Sequence, residues 1–223
     1  MTSIDASLVA LRATEIRHRI SAAGGKDVKL IAVTKTFDVR AMVAAFDAGC
    51  DGVGENYAQE LIAKAGELPI EKRLPIHFIG RLQTNKIKLI AGLVDVWQSV
   101  DRVDLINEIA KRCVKAGTSA RPQIMLQVNA TDELDKGGCK PQEVSNLLET
   151  ANAKGLEVAG LMTVGPTSNE AQSTQRSFRL VRKLTDELGL KQCSMGMTGD
   201  LEIAIAEGST MIRVGSALFG QRQ

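Results

Sequence analysis

Eight short runs of β-branched and aliphatic residues, separated by stretches whose apolar positions recur at helical spacing, constrain this chain more than any other feature. The runs are KLIAVTK (29–35), DGVGE (51–55), PIHFIG (75–80), VDVWQSV (94–100), QIMLQVN (123–129), EVAGLMTV (157–164), QCSMGM (192–197) and MIRVGSA (211–217). Between them lie stripes such as Val144, Leu147, Leu148 and Ala151, or Phe178, Val181, Leu184 and Leu188, which turn one apolar face inward. Strands this continuously apolar need cover on both faces, and parallel strands obtain it from crossover helices. Eight such units close most simply into a (β/α)8 barrel of the TIM type, in the α/β class. The 223 residues are fewer than the roughly 250 usual for that architecture, and no linker divides them, so one barrel domain over 1–223 is expected. An amphipathic stretch at roughly 4–22 predicts an extra N-terminal helix before the first strand. An open doubly wound sheet competes, but no GxGxxG follows a first strand and no GxxxxGK occurs.

Charge and cysteine usage exclude several function classes. The 28 basic and 26 acidic residues are evenly spread, so the net +2 forms no basic stripe for nucleic acid or for an anionic membrane surface. No run approaches the 18 or so apolar residues of a membrane span, and the N-terminus lacks the apolar core of a signal peptide. A cytoplasmic protein is expected. Cys50, Cys113, Cys139 and Cys193 stand far apart without a CxxC pair, which argues for reduced thiols rather than a zinc site. No HxH, HExxH or GxSxG is present, so metal and serine-hydrolase chemistry have no foothold.

Barrels of this kind carry ligand chemistry at the carboxyl ends of their strands. The residues that close the runs include Lys35, Glu55 and Asn56, Gly80 and Arg81, Asn129, Met162 and Thr163, and Arg213 through Ser216. A lysine amine is a nucleophile only when neutral, and apolar enclosure favours that form; Ala32 and Val33 supply such surroundings for Lys35. A strand-end lysine that merely reaches water is the alternative. In RVGSALFG, Gly215 permits close backbone approach, Ser216 adds a hydroxyl, and Arg213 directs donors at an anion or a ring nitrogen. Phosphate sites after the seventh and eighth strands recur in this architecture. Upstream, SMGMTGD leads into a helix expected at about 200–207 with Thr198 or Gly199 at its cap. His77, inside an apolar strand, reads more readily as a core imidazole than as a catalyst. Lys136, in the loop DKGGCK, reads as solvated.

The segments VTKTF, GENYAQE, HFIGRLQTNK, GLMTVGP and SMGMTGDLEIAIAEGSTMIRVGSALFG together resemble the pyridoxal phosphate homeostasis proteins, over nearly the whole chain. The resemblance implies a single barrel similar to the N-terminal domain of bacterial alanine racemase, with pyridoxal 5′-phosphate held as a Schiff base. It makes Lys35 the Schiff-base lysine, places Ser194, Thr198, Gly215 and Ser216 in phosphate-binding segments, and turns Arg213 toward the pyridine nitrogen. Asn56, His77 and Met162 match segments around the ring, and Lys136 matches a loop that forms a secondary site for the aldehyde. Thr198 and Ser216 depart from the commoner serine and threonine while keeping a hydroxyl, and Gly199 stands where a bulkier residue is frequent.

Arginine beside the pyridine nitrogen disfavours ring protonation, whereas strong electron-sink catalysis commonly pairs that nitrogen with a carboxylate. Racemisation further needs an acid and a base on opposite faces of a substrate carbon, and Tyr57 is the chain's one tyrosine to partner Lys35. In the racemases a second domain supplies that residue, and none is expected here. Holding the cofactor and passing it to apo-enzymes is therefore favoured over turnover, with amino-acid racemisation as the alternative.

Overall fold

The computed structural model describes residues 4–115, 123–131, 133, 135–168 and 170–220. Eight parallel strands close into a barrel in simple chain order: β1 (Lys29–Val33), β2 (Gly52–Glu55), β3 (Ile76–Phe78), β4 (Val96–Val100), β5 (Gln123–Gln127), β6 (Glu157–Met162), β7 (Gln192–Ser194) and β8 (Met211–Val214). The TIM-type barrel expected from the alternation is thus present. The first and last strands pair directly, Ile31 with Arg213 and Ala32 with Val214.

The helices are α1 (Ala6–Ala22), α2 (Val39–Asp47), α3 (Ala58–Glu67), α4 (Thr84–Ile90), α5 (Val103–Lys115), α6 (Val144–Ala153), α7 (Ala171–Glu187), α8 (Leu201–Ala206) and α9 (Ser216–Phe219). The extra helix α1 starts at an Asp5 cap, whose carboxylate accepts from the Leu8 N–H, and buries Val9, Ala13, Ile16 and Ile20. The main core lies between barrel and helices and contains Leu30, Ala32, Val53, Trp97, Phe178 and Val214. A smaller apolar group, Val96, Met125 and Met162, fills part of the barrel interior. Trp97 is fully buried and packs against Phe78 with ring centroids 6.2 Å apart.

Most strands end earlier than the apolar runs suggested. β1 stops at Val33, so Lys35 lies in the following turn and does not close the strand. Gly80, Asn129 and Met197 likewise lie beyond their strands. Apolar character continues past the ladder because barrel-mouth loops are packed too, and hydropathy cannot distinguish a strand from a buried turn. All four cysteines are free and buried. Among the described residues no helix is long and apolar enough to cross a membrane, and no cluster of metal-ligating side chains occurs.

Candidate functional site

The two segments singled out in the sequence meet at one part of the barrel rim. A Cβ on Gly215 would come within 3.3 Å of the Val33 side chain and carbonyl, so the chain after β8 runs directly beside the chain leading to Lys35. Lys35 is half-buried there. The next residue, Thr36, has φ 68°, a left-handed conformation that costs a β-branched residue about 1–2 kcal/mol. Across the seam, α9 begins at Ser216, and the first N–H groups of any helix have no intrahelical partner. The backbone N–H of Arg213 donates to the Gly196 carbonyl at 3.0 Å, which draws the SMGMTGD segment alongside. The cap of α8 differs from expectation. Asp200 is the N-cap in place of Thr198 or Gly199, and its carboxylate accepts from the Met197 N–H at 2.6 Å. Thr198 is half-buried, with its carbonyl accepting from Arg19 at 3.1 Å.

A chain of hydrogen bonds runs through the barrel interior from this rim. Arg213 donates from Nη1 to Ser194 Oγ at 2.6 Å and from Nη2 to the Thr163 carbonyl at 2.7 Å. Ser194 Oγ donates to Gln98 Oε1 at 2.8 Å, and Gln98 Nε2 lies 2.7 Å from His77 Nδ1, which serves as the acceptor in the neutral ring. Burial pushes His77 down to about 4, helped by the charges of Lys29 and Arg213. His77 also lines a cavity at the opposite, N-terminal end of the barrel beside Lys29, Asp51 and Asp95. His77 and Ser194 are thus both engaged along the barrel axis, Ser194 between Arg213 and Gln98 and His77 with Gln98.

Arg213 is 4% exposed, and among the described residues no carboxylate forms an ion pair with it. Burial lowers it to about 10, against the distant charge of Asp200. A cation held by two neutral acceptors in a dry interior is costly, and a ligand bearing an anionic or lone-pair acceptor relieves that cost.

Further round the mouth, a cavity of about 320 Å³ is lined by Asn56, Lys136 and Met162, together with Ser99, Asp101 and Asn129. Met162 ends β6 and is 1% exposed. Asn56 Oδ1 is buried, with no donor among the described residues. Gly80 holds Asn56 in place from behind: a Cβ there would lie 2.2 Å from the Asn56 carbonyl oxygen. Gly80→Ala is expected to displace Asn56 and to cost about 1–3 kcal/mol in a urea titration. An unchanged midpoint would show that this contact yields freely. Lys136 is not simply solvated as its glycine-bearing loop suggested. Its Nζ donates to Glu133 Oε1 at 3.0 Å and to the Gly165 carbonyl, clasping the loops after β5 and β6. Hydrogen bonds from Thr167 and Lys136 hold the Glu133 carboxyl down at about 2.

Two structural participants were not read from the sequence. Gln98 lies within β4, where alternation places it inside the barrel, and that parity was its available signal. Lys64 is buried on α3 on the same stripe as Ala58 and Leu61, so a charge at an inward position of that helix was the clue.

The alanine racemase N-terminal domain family matches residues 7–223. A pyridoxal phosphate homeostasis protein from Pseudomonas aeruginosa is 38% identical over 221 residues, which span 96% of this chain and 94% of that protein. This chain belongs to the pyridoxal phosphate homeostasis protein family. Another family member, from Aquifex aeolicus, is 37% identical over 207 residues, covering 90% of each chain. The structure of the family member PipY from Synechococcus elongatus with PLP bound superposes with a TM-score of 0.81 at 33% identity, covering 95% of this chain and 100% of PipY. The alanine racemase of Bartonella henselae, at 16% identity and a TM-score of 0.75 over 98% of this chain and 60% of the racemase, shares the barrel fold.

Proposed function

We propose that the protein binds pyridoxal 5′-phosphate covalently on Lys35 and serves intracellular vitamin B6 homeostasis by holding the cofactor and releasing it to apo-enzymes. The observation that carries this reading is Arg213, a buried guanidinium with neutral acceptors and, among the described residues, no carboxylate partner, on the strand next to the one that leads to Lys35. Family membership and the PLP-bound PipY structure support the identity of the ligand. When bound, pyridoxal phosphate supplies an aldehyde that condenses with a primary amine and a ring that withdraws electrons.

The residues fit such a group. The N–H groups at Gly215 and Ser216, with the hydroxyls of Ser216 and Thr198, would hold the phosphate, while Arg213 would face the ring nitrogen. Asn56 and Met162 would border the ring from the mouth cavity. Arg213 remains charged at neutral pH, so it opposes a proton on that nitrogen and keeps the ring a weak electron sink. Retention and exchange then win over chemistry at a substrate carbon. Lys136, now paired with Glu133, is the second amine able to accept the aldehyde when that pair opens.

The test is transfer. Protein loaded with pyridoxal phosphate is mixed with an apo-enzyme that requires it, and recovery of that enzyme's activity is followed; free amino acids are monitored in deuterated water. Activation without deuterium uptake is expected, whereas uptake that depends on Lys35 would replace this reading with racemisation. Ser216→Ala is expected to weaken retention by about 1–2 kcal/mol, as one hydroxyl-to-phosphate hydrogen bond is lost. Equilibrium dialysis checks it, and unchanged affinity would move the phosphate to another part of the rim.

A further inference from the structure

Both neighbours of Lys35 are tied to one linked group of charged side chains behind the barrel wall, buried Glu55 and Lys64 with part-exposed Glu60 at its edge. The Thr34 hydroxyl donates to Glu55 Oε1 at 2.5 Å. Lys64 Nζ donates to the same oxygen at 2.7 Å and to the Thr34 carbonyl at 2.8 Å. On the far side of Lys35, the Thr36 N–H donates to Glu60 Oε2 at 2.7 Å, and that carboxylate stands 3.6 Å from Lys64 Nζ. The ammonium of Lys64 thus links β2, α3 and the turn after β1. Strand alternation puts Thr34 on the outward side with Leu30 and Ala32, and Glu55 on the outward side with Val53, so the group lies between barrel and helix.

Its cost is plain. Lys64 is 5% exposed and Glu55 fully buried, and Glu55 Oε2 has no hydrogen-bond partner among the described residues. Burial holds the Glu55 carboxyl above the usual carboxylate range, while Lys64 and Thr34 act in the opposite direction. Ion pairs at this depth add little over well-packed apolar side chains. Stability is a poor reason to keep one here, yet the pair bonds Thr34 directly on one side of Lys35 and reaches the N–H of Thr36, a residue in a strained left-handed conformation, through Glu60 on the other.

We propose that Glu55 and Lys64, linked through Thr34, are positioning residues that fix the direction of the Lys35 amine. This rests on the preceding reading in one respect: direction matters because Lys35 takes up the aldehyde. The group touches neither aldehyde nor phosphate and acts through the backbone of the turn.

Thr34→Val removes the hydroxyl tie to Glu55, the double replacement Glu55→Gln/Lys64→Met removes the ammonium's ties to the Thr34 carbonyl and to Glu60, neither leaves an unpaired buried charge, and Thr34→Ser keeps the hydroxyl. For each variant, well below its own melting temperature, pyridoxal phosphate is titrated, trapped with borohydride, and quantified by mass on the peptide containing Lys35. The half-maximal concentration is expected to rise about tenfold in Thr34→Val and in the double variant, the size of one charge-assisted hydrogen bond, and to stay at the wild-type value in Thr34→Ser. In cofactor-free protein, reductive methylation of Lys35 by formaldehyde is expected to rise severalfold in the same two variants as the amine swings toward solvent. Unchanged titration and methylation in both variants overturn the inference, as does a Thr34→Ser protein as impaired as Thr34→Val. A wild type that gains no pyridoxyl group on Lys35, yet whose Lys35 methylation still responds to the variants, overturns the functional reading and leaves the positioning role standing.

Discussion

Lys35→Ala protein, incubated with pyridoxal phosphate and reduced with borohydride, is expected to show no pyridoxyl mass at position 35, whereas wild-type protein carries close to one group per chain. This is the largest functional effect the site allows, because a covalent bond has no partial substitute. The variant should still fold, since a half-buried side chain in a turn contributes little to the core. Its urea midpoint therefore serves as the control. Label that persists at full stoichiometry in the variant would assign the link to another amine, with Lys136 the first to check by peptide mapping. Collapse of cooperative unfolding would instead make Lys35 a structural residue.

The second large effect is on stability at acid pH. His77 is nearly buried and neutral in the folded protein, with its pKa pushed down to about 4, while in the unfolded chain it takes a proton near the ordinary value of 6.5. Below about 6.5 the unfolded state thus binds a proton that the folded state refuses. Stability is full above that pH and declines as pH falls toward 4, by about 3 kcal/mol from this residue. His77→Asn retains an acceptor for Gln98 Nε2 but cannot titrate, so its unfolding free energy should be flatter across this window. Equal slopes for wild type and variant in urea titrations from pH 4 to 7 would assign the acid sensitivity to other groups. Lys29 and Arg213 strengthen the effect in the native protein, because a protonated His77 would add a third positive charge among them.

The barrel was legible because eight apolar runs and their intervening stripes repeat one physical requirement, cover on both faces of a parallel strand. Lys35 and the 213–216 segment were legible as partners because closing such a barrel makes its first and last strands neighbours, as the Ala32 to Val214 pairing shows. His77 and Ser194 were less so. Being on a strand near the mouth does not say how far down the axis a side chain is engaged, and here Gln98 draws both inward. The cap of α8 was missed because Thr198, Gly199 and Asp200 are all acceptable at such a position, and a hydrogen bond to Met197 decided among them. Lys64 was hidden by its type, since a lysine in a helix is by default a surface residue.

The burial of all four thiols has a chemical consequence for the proposed holding of an aldehyde. Sulfur competes with nitrogen for carbonyl carbon only as the exposed thiolate. Burial raises Cys50, Cys113 and Cys193 to about 11 and Cys139 to about 12. Hemithioacetal formation at these four thiols is thereby disfavoured, as the proposed exchange of the aldehyde between amines requires.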